Sequence, residues 1–247
     1  MKILVCISNV PDTTTRIAIG PDGKSISTAG IQWIINPWDE LALTRALELK
    51  DVGRVTEVVV ANVGPTLTEA TLRKALATGA DRALRVNTEP TDAWSVAINL
   101  AELIKNEAFD VILCGIESSD HNGSVVGGLL AGILDMNIIS SVSGLDIEGD
   151  TLKVQREIAG GKELHETSAP VVLVVQKGIA LAPRIPSMRG IMMARTKPLL
   201  TSDPVSSEPM TATAQLFMPK AKGACRMVDA ENAGDLIRLL HEEAKVI

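Results

Sequence analysis

The residue types best suited to ligand chemistry lie between 110 and 131, in DVILCGIESSDHNGSVVGGLLA. Val111 to Cys114 is an apolar run typical of a buried strand, and Gly127 to Leu134 has the small residues of a closely packed helix. Glycines let the backbone approach a ligand closely, and the free N–H groups at a helix start attract an anion. The loop Gly115–Gly128 is therefore predicted to cradle an anion such as a phosphate, with an ordinary strand-to-helix connection as the alternative.

Single polar side chains give weaker signals than this loop. Asp120 can accept hydrogen bonds from a ribose or simply cap the next turn, and His121 has no nucleophile beside it in sequence. His165 and His241 also lack partners at a suggestive spacing. The sequence has no GxxxxGK[ST] loop, no GxGxxG after its first strand and no SGGxDS signature. The pattern predicts binding rather than catalysis by side chains.

The composition favours one large α/β domain within the 247 residues. Hydrophobic residues make up 46% of the chain but aromatic ones only 2%, so the core must be aliphatic, as in parallel sheets. A net charge of −6 argues against a nucleic-acid partner, which needs a basic face. Three scattered cysteines, no long apolar run and a strand-like start predict a soluble, cytoplasmic protein without a signal peptide.

Strand-like and helix-like segments alternate through the first two thirds of the chain. The predicted strands are Lys2–Ser8, Thr56–Val63, Arg82–Val86 and Asp110–Gly115, and helices are predicted after Asn36, after Pro65, from Thr91 and from Gly127. Repeated strand–helix–strand units predict a parallel sheet with right-handed crossovers, whose ligands lie beyond the carboxyl ends of the strands. Three loops should then converge on one small-molecule site, namely Ser8–Asp12, Asn62–Thr66 and Gly115–Val126.

Two local features are predicted before the second of these strands. The turn GPDG between Arg16–Ile19 and Lys24–Ser27 favours a β-hairpin. Asn36, followed by a proline, is predicted to cap a helix, and Asp39 and Glu40 suit the positive end of that helix. Contact between Asn36 and an adenine is the alternative, and it requires the helix start to face the ligand.

The pattern changes in the last third of the chain. Hairpin signals separate three strand-like segments, which predicts antiparallel strands at one end of the sheet. These segments are Ser143–Ile147, Thr151–Ile158 and Glu163–Val175. Beyond them the chain is rich in Ser, Thr and Pro, and it becomes amphipathic from Asp229 to Ala244. We predict a domain of residues 1–199 and an extended arm of residues 200–247 that reaches another subunit.

An unusual segment, QKGIALAPRIPSMRGIMMARTKP, runs from Gln176 to Pro198. Ile179, Leu181, Ile185 and Met188 alternate there with prolines and arginines. Aliphatic side chains rimmed by cations on a proline-stiffened loop favour a docking surface. A buried crossover is the alternative.

Six motifs follow one another along nearly the whole chain. They are KILVCISNVPD, INPWDELALTRALELK, VGPTLTEATLRKALATGADRALRV, CGIESSDHNGSVVGGLLAGILD, VQREIAGGKELHETSAPVVLVV and APRIPSMRGIMMARTKP. In this order they resemble the β-subunit family of electron transfer flavoproteins. The resemblance implies an open, mostly parallel sheet like that of the adenine-nucleotide α-hydrolases. It also implies a heterodimer with an α subunit that holds most of a redox-active FAD.

The resemblance implies an electron carrier rather than an enzyme. Electrons would come from donor dehydrogenases such as acyl-CoA dehydrogenases and pass through the FAD to a downstream acceptor. The chain itself would hold a nucleotide, wall the flavin and present a docking loop. A stand-alone ATP- or AMP-binding regulator of the universal-stress type is the alternative, and it would need a closed C-terminus in place of the arm.

The family's contacts to AMP fall on nine positions of this chain. They are Cys6, Asn36, Val63, Asp120, His121, Gly123, Ser124, Val125 and Val126. Thr13 falls where a family tyrosine approaches the flavin. The chain departs from the family pattern at His121, Gly123 and Val125, and it has Ser8 where a lysine is common. AMP is the first expectation, and a second FAD is the alternative.

The family's docking loop for dehydrogenases matches the start of the 176–198 segment. The matching residues are Gly178, Ile179, Ala180, Leu181, Ala182, Pro183 and Arg184. Leu181 lies near the position of the family's anchoring leucine. The resemblance further implies that the arm Leu199–Gly223 embraces the α subunit.

Overall fold

The computed structural model describes residues 1–247, which form one nine-stranded sheet and one two-stranded sheet. The strands are β1 (Lys2–Cys6), β2 (Asn9–Pro11), β3 (Trp33–Ile35), β4 (Glu57–Val63), β5 (Arg82–Val86), β6 (Val111–Gly115), β7 (Asn137–Glu148), β8 (Thr151–Ile158), β9 (Gly161–Ser168), β10 (Val171–Val175) and β11 (Leu199–Ser202). The helices are α1 (Pro37–Asp51), α2 (Glu69–Thr78), α3 (Ala93–Ile104), α4 (Val126–Leu134), α5 (Met188–Ala194) and α6 (Ala233–Leu239). None of them has the length and apolar character that crossing a membrane requires.

The large sheet has the strand order β11-β5-β4-β1-β6-β10-β7-β8-β9. Neighbouring strands from β11 to β7 are parallel, whereas β8 is antiparallel to both of its neighbours, β7 and β9. The predicted α/β class, with an open, mostly parallel sheet and antiparallel strands at one edge, is confirmed.

Helices cover both faces of the parallel strands. In β1, Ile3 and Val5 belong to the core cluster that α1 and α2 complete, whereas Leu4 and Cys6 belong to the cluster of α3 and α4. Alternate side chains of a strand point to opposite faces, so a strand covered on both sides must be apolar throughout. This explains why the predicted central strands are continuous aliphatic runs.

The strand order reverses between β1 and β6. From β1 the chain adds β4 and then β5 on one side, and it then crosses to place β6 on the other side of β1. In open α/β sheets such a reversal leaves a crevice beyond the carboxyl ends of the two strands, where ligands bind. The chain just after β1 and the loop after β6 border this crevice.

The single strand predicted over Glu163–Val175 is wrong. The structure divides it into β9, which pairs antiparallel with β8, and β10, which lies between β6 and β7 and is parallel to both. Pro170 stands between the two strands, and a proline has no N–H group to continue a strand ladder. β7 also begins at Asn137, because its first residues pair with β10 before the rest pair with β8.

The predicted hairpin over residues 16–27 is reduced to one antiparallel bridge, between Ile19 and Ile26. The regular pairing of this insert is instead at its base, where β2 and β3 form the two-stranded sheet. The backbone N–H of Asp12 also donates to the Gln32 carbonyl at 2.8 Å. The insert between β2 and β3 is therefore paired at its base and at the bridge near its tip, and not along its whole length.

The 176–198 segment crosses one face of the sheet from β10 to β11. The backbone N–H of Arg184 donates to Thr44 Oγ1 of α1 at 2.9 Å. On α2, the Arg73 guanidinium donates to the carbonyls of Ala194 and Lys197 at 2.8 and 2.7 Å. The segment is thus fixed to two helices before it rejoins the sheet. It is a crossover, but not the buried one of the alternative, because only Ile179, Ala180 and Ala194 of its residues are buried.

β11 pairs in parallel with β5, so Thr201 and Ser202, predicted to lie in the arm, belong to the sheet. Beyond Ser202 the chain has no further strand and no buried residue. The helix predicted from Asp229 to Ala244 is divided into a 3₁₀ turn at Ala230–Asn232, α6, and a π-helical turn at Leu240–Ala244.

Candidate functional site

A buried carboxylate from α1 lies at the crevice between β1 and β6. Asp39 is on the same face of α1 as Ala42, Leu43 and Ala46, all of them buried. Its Oδ2 accepts a hydrogen bond from the backbone N–H of Ser8 at 2.7 Å, and its Oδ1 accepts one from the backbone N–H of Gly115 at 3.0 Å. One side chain therefore joins the chain beyond β1 to the end of β6.

Burial raises the pKa of Asp39 from 3.8 to about 7, although the donors of Ser8, Asn36 and Gly115 act in the opposite direction. Because this folded-state value lies above the ordinary one, the native state binds the proton more tightly than the unfolded state does. The contribution of Asp39 to stability is therefore full below about pH 4 and is lost as the pH rises towards 7.

Asn36 is fully buried and holds the loop after β6 rather than the helix that follows it. Its Nδ2 donates to the Glu117 carbonyl at 2.8 Å, and its Oδ1 accepts from the Ser119 N–H at 3.1 Å. The side chain makes no capping hydrogen bond to α1. The predicted capping role of the Asn36 side chain is therefore wrong. The alternative, contact between Asn36 and an adenine, stays a prediction.

The loop between β6 and α4 is exposed and bent at several residues. Asp120 Oδ1 accepts a hydrogen bond from the His121 N–H at 2.9 Å, and Ser124 Oγ donates to Glu117 Oε2 at 3.3 Å. Ser124 adopts a φ of 53°, in the left-handed region, and Gly123 beside it is exposed. The structure thus brings the predicted loop residues to the same edge as Asn36 and leaves their side chains accessible.

α4 starts without a side-chain cap. Val125 is exposed just before it and Val126 is half-buried at its first position. A Cβ on Gly127 would lie 2.5 Å from Val174 Cγ2, whereas one on Gly128 would meet nothing within 4 Å. The first N–H groups of this helix are therefore free of side-chain acceptors, which suits an anion.

Cys6 and Val63 end strands β1 and β4, and both are buried. A hydrogen bond to Cys114, together with burial, raises the pKa of the Cys6 thiol, with a smaller contribution from Asp39. Cys6 and Cys114 are both free of disulfide bonds, and the raised pKa keeps the Cys6 thiol uncharged beneath the crevice. Cys6 and Val63 each have a relative exposure of 7%, so little of either residue is accessible to a ligand.

The loop after β4 rests on a buried polar cluster that the sequence did not single out. Asn62 and Arg85 are cross-strand partners on β4 and β5. Asn62 Nδ2 donates to the Ile7 carbonyl at 2.8 Å, and Arg85 donates to the Gly64 carbonyl at 2.9 Å and pairs with Glu69. The Asn62 Oδ1 and Arg85 Nε atoms are buried without a hydrogen-bond partner. Together these bonds fix the predicted loop Asn62–Thr66 beside the chain that follows β1.

Thr13 lies away from these buried groups, in the exposed loop after β2. Asp12 shapes this loop, because its Oδ1 accepts hydrogen bonds from the N–H and the Oγ1 of Thr14 at 2.9 and 2.5 Å. Thr13 itself presents a free side chain to solvent.

The start of the 176–198 segment combines buried and exposed apolar residues. Ile179 and Ala180 are buried, whereas Leu181 has a relative exposure of 102%. Ala182, Pro183 and Arg184 follow it on the surface, and Gly178 at the base has a φ of 105°. Farther along, Ile185 and Met188 are also exposed, so the apolar surface extends beyond the predicted loop.

Besides the cluster of Asn62 and Arg85, sequence reasoning missed Asp39, which it assigned only to the positive end of a helix. A usable signal was present: Ala42, Leu43 and Ala46 lie three, four and seven residues further on. That spacing puts Asp39 on the buried face of the helix. A buried acid at the start of a helix beside a strand end has to find hydrogen-bond donors.

These features define a doubly wound α/β protein with a candidate ligand crevice at the reversal of its strand order. A family model described as the electron transfer flavoprotein domain matches residues 24–206. The chain is 36% identical to the electron transfer flavoprotein subunit beta of Bacillus subtilis and 32% identical to that of Bradyrhizobium diazoefficiens, with all of both chains covered in each case. The human subunit is 34% identical over 80% of this chain and 79% of its own.

The chain belongs to the electron transfer flavoprotein family. All three relatives carry the name electron transfer flavoprotein subunit beta, and none of these comparisons favours the universal-stress alternative.

Proposed function

We propose that this chain is the β subunit of a heterodimeric electron carrier in the cytoplasm. The observation that carries the proposal is the similarity to subunits named beta over the whole chain, arm included. In this proposal a partner α subunit holds most of an FAD, which supplies the redox chemistry when bound. This chain binds a nucleotide, forms one wall beside the flavin and offers a surface to donor dehydrogenases.

The nucleotide we propose is AMP, bound at the crevice between β1 and β6. The uncapped start of α4 and the glycines after Val126 suit a phosphate that binds through backbone N–H groups alone. Asn36 orders the loop in which Asp120, His121, Gly123 and Ser124 can reach the ribose and base. Cys6, Val63 and Val125 would complete the walls of the site, and Thr13 would lie near the flavin.

A second FAD at this crevice is the alternative ligand. The loop after β6 contains Glu117 and Asp120 but no lysine or arginine, and Ser8 replaces a cation that is common in the family. A site without cations depends on backbone donors for any phosphate, so the sequence does not favour a single phosphate over a diphosphate.

The docking surface we propose is the loop from Gly178 to Arg184. Ile179 and Ala180 anchor it in the core, and the Arg184 guanidinium pairs with Asp51 of α1 at 2.7 Å. Leu181 is thereby held outward on a fixed base. An exposed leucine on a rigid base is suited to enter an apolar pocket of a donor dehydrogenase.

The arm of residues 200–247 is proposed to bind the α subunit. Several large apolar side chains along it are exposed: Met210, Phe217, Met218, Met227, Leu236 and Ile237. A protein rarely leaves so many large apolar groups in water unless another surface covers them.

The test is to purify the chain together with its co-expressed α partner, release the bound cofactors and quantify FAD and AMP. One FAD and one AMP per heterodimer is the expected result. Two FAD per heterodimer without AMP would show that the ligand of the crevice is FAD, and the assignment as a β subunit would stand. A chain that stays monomeric and binds ATP without any flavin-containing partner would overturn the proposed function.

A further inference from the structure

Asp39 is the one carboxylate that both faces the ligand crevice and is closed to solvent. We propose that Asp39 is the positioning residue of the nucleotide site, because its two oxygens hold the chain beyond β1 and the end of β6 in the arrangement that the ligand requires. This inference rests on the proposed function for its ligand. Asp39 would act by contacting the two loops, and it would not contact the reacting flavin.

The geometry leaves Asp39 little freedom. Each carboxylate oxygen accepts from a backbone N–H group, Oδ2 from Ser8 and Oδ1 from Gly115, and both of these groups lie at the reversal of strand order. The side chains of Asn36 and Ser8 are further donors that lower the pKa of Asp39. A Cβ on Gly115 would collide with Asp39 Oδ1 and would lie 2.7 Å from Trp38 Cβ. The glycine at the end of β6 therefore allows the carboxylate its close approach.

No cation compensates this carboxylate. The strand ends next to it contribute the Cys6 and Cys114 thiols, and the loop after β6 contributes Glu117, which bonds Ser124. On α1, Glu40 turns outward and pairs with Lys74 of α2 at 2.9 Å. Hydrogen-bond donors without a cation do not offset the cost of burying this charge, so burial raises the pKa of Asp39 to about 7.

The protonation state of Asp39 that favours stability differs from the one that holds the two loops in place. Protonation removes the cost of a buried charge, but a neutral carboxyl has one fewer good acceptor for the two N–H groups. The ionised form holds both loops and destabilises the fold. Such a conflict at a ligand crevice is typical of a functional residue rather than a structural one.

Ligand affinity should therefore follow the ionisation of Asp39. With a pKa of about 7, the ionised fraction falls from about nine tenths at pH 8 to about one tenth at pH 6. If the ligand needs both loops in place, the affinity falls about tenfold over this range and binding releases a proton. The phosphate of AMP also titrates near pH 6, so a variant without the carboxyl must supply the reference profile.

The experiment measures AMP affinity by calorimetry between pH 6 and 8, on the chain in complex with its α partner after removal of bound nucleotide. Asp39→Asn is the test variant, because its amide nitrogen would face one of the two N–H donors. Glu40→Gln is the matched control, since it removes the neighbouring acid of the same helix turn outside the crevice. We expect Asp39→Asn to bind AMP at least about tenfold more weakly at pH 8 and to lose the wild-type pH dependence, and Glu40→Gln to keep both.

An Asp39→Asn complex with the affinity and pH profile of the wild type would overturn the proposal. A second measurement needs no nucleotide: amide exchange at Ser8 and Gly115 in the wild-type complex, corrected for intrinsic exchange, should quicken as the pH falls from 8 to 6. Protection that does not change would also overturn it, even if the variant does not fold. If protection changes but the complex contains no AMP, the role of Asp39 stands and the choice of AMP fails.

Discussion

Two regions of the molecule differ in the burial of their side chains. One is the crevice between β1 and β6, and the other is the surface formed by the 176–198 segment and the arm. At the crevice, Asn36 and Asp39 are buried and each bonds backbone groups of the same chain. Along the surface, Leu181, Phe217 and Leu236 are exposed and contact no core. The hydrogen bonds within the chain already form the crevice in the absence of a ligand. The exposed apolar surface, by contrast, requires another protein to cover it. Changes at the crevice should therefore alter stability and ligand affinity, and changes on the surface should alter association alone.

The largest effect is expected from removing the arm after Ser202. Fully burying one large apolar side chain contributes about 1.5–3 kcal/mol, so loss of several should weaken binding to the α subunit by more than about a hundredfold. The isolated chain should lose little stability, because no residue beyond Ser202 is buried. Analytical ultracentrifugation of the mixed subunits and urea unfolding of the isolated chain measure the two quantities. A truncated chain that still forms the heterodimer at full affinity would contradict the assignment of the arm.

A methyl group at the end of β6 should damage the crevice. Gly115→Ala brings a Cβ against the Asp39 carboxylate, so we expect the free energy of unfolding to fall by about 2–4 kcal/mol. Gly128→Ala is the control, because a Cβ there meets nothing within 4 Å and alanine favours the helix. Urea unfolding of both variants gives the comparison. Equal stabilities would mean that the contact between Asp39 and the strand end is loose.

Shortening Leu181 should slow electron transfer without touching the fold. We expect Leu181→Ala to lower the rate of flavin reduction by a donor dehydrogenase about tenfold, because the anchor of the contact is lost. Leu164→Ala on β9 is the control, since Leu164 has a relative exposure of 82% but lies outside the 176–198 segment. Both variants should unfold at the wild-type urea concentration. Equal rates for the two would place the docking surface elsewhere.

The smallest effect concerns Asp92, which links α3 to the arm. Its Oδ1 caps Ser95 N at 2.8 Å, and its Oδ2 accepts from the N–H groups of Met210 and Thr211 at 2.7 and 2.9 Å. We expect Asp92→Ala to cost about 1 kcal/mol and to speed amide exchange at residues 210 and 211.

The hydrogen bonds lower the pKa of Asp92 against the effect of burial, so its contribution holds above pH 3.8 and is lost as the pH falls further. Asp135→Ala, at the end of α4, is the control. Arm protection that is the same in both variants would show that the arm is held by other contacts.

Local patterns predicted the parallel half of the fold well. The strand Arg82–Val86 has the predicted bounds, and the second central strand begins one residue later than predicted. These strands are buried on both faces, so their aliphatic runs depend on burial alone and not on which strand lies beside them. The glycine-bearing loop between β6 and α4 could also be predicted from local sequence, because strand, loop and helix follow one another along the chain.

The remaining errors concern pairing between distant residues. Nothing local in Val171–Val175 indicates that it lies between β6 and β7, because that position depends on partners up to 60 residues away. Asn36 has the residue type of a helix cap, yet its side chain bonds residues 117 and 119. Tertiary contacts can use the same donors and acceptors that a local motif would use, and the sequence around Asn36 does not distinguish the two.

The 176–198 segment begins directly after one strand of the large sheet and ends directly before another. Lys197 Nζ donates to the carbonyls of Leu76 and Ala80 at 3.0 and 2.5 Å near its far end, and Arg184 is held by α1 near its start. A segment fixed in this way has little conformational entropy left to lose when a partner binds. Association with the proposed donor dehydrogenase can therefore be both fast and short-lived. The contact needs no folding step to form, and no folding step has to be reversed for the partner to leave.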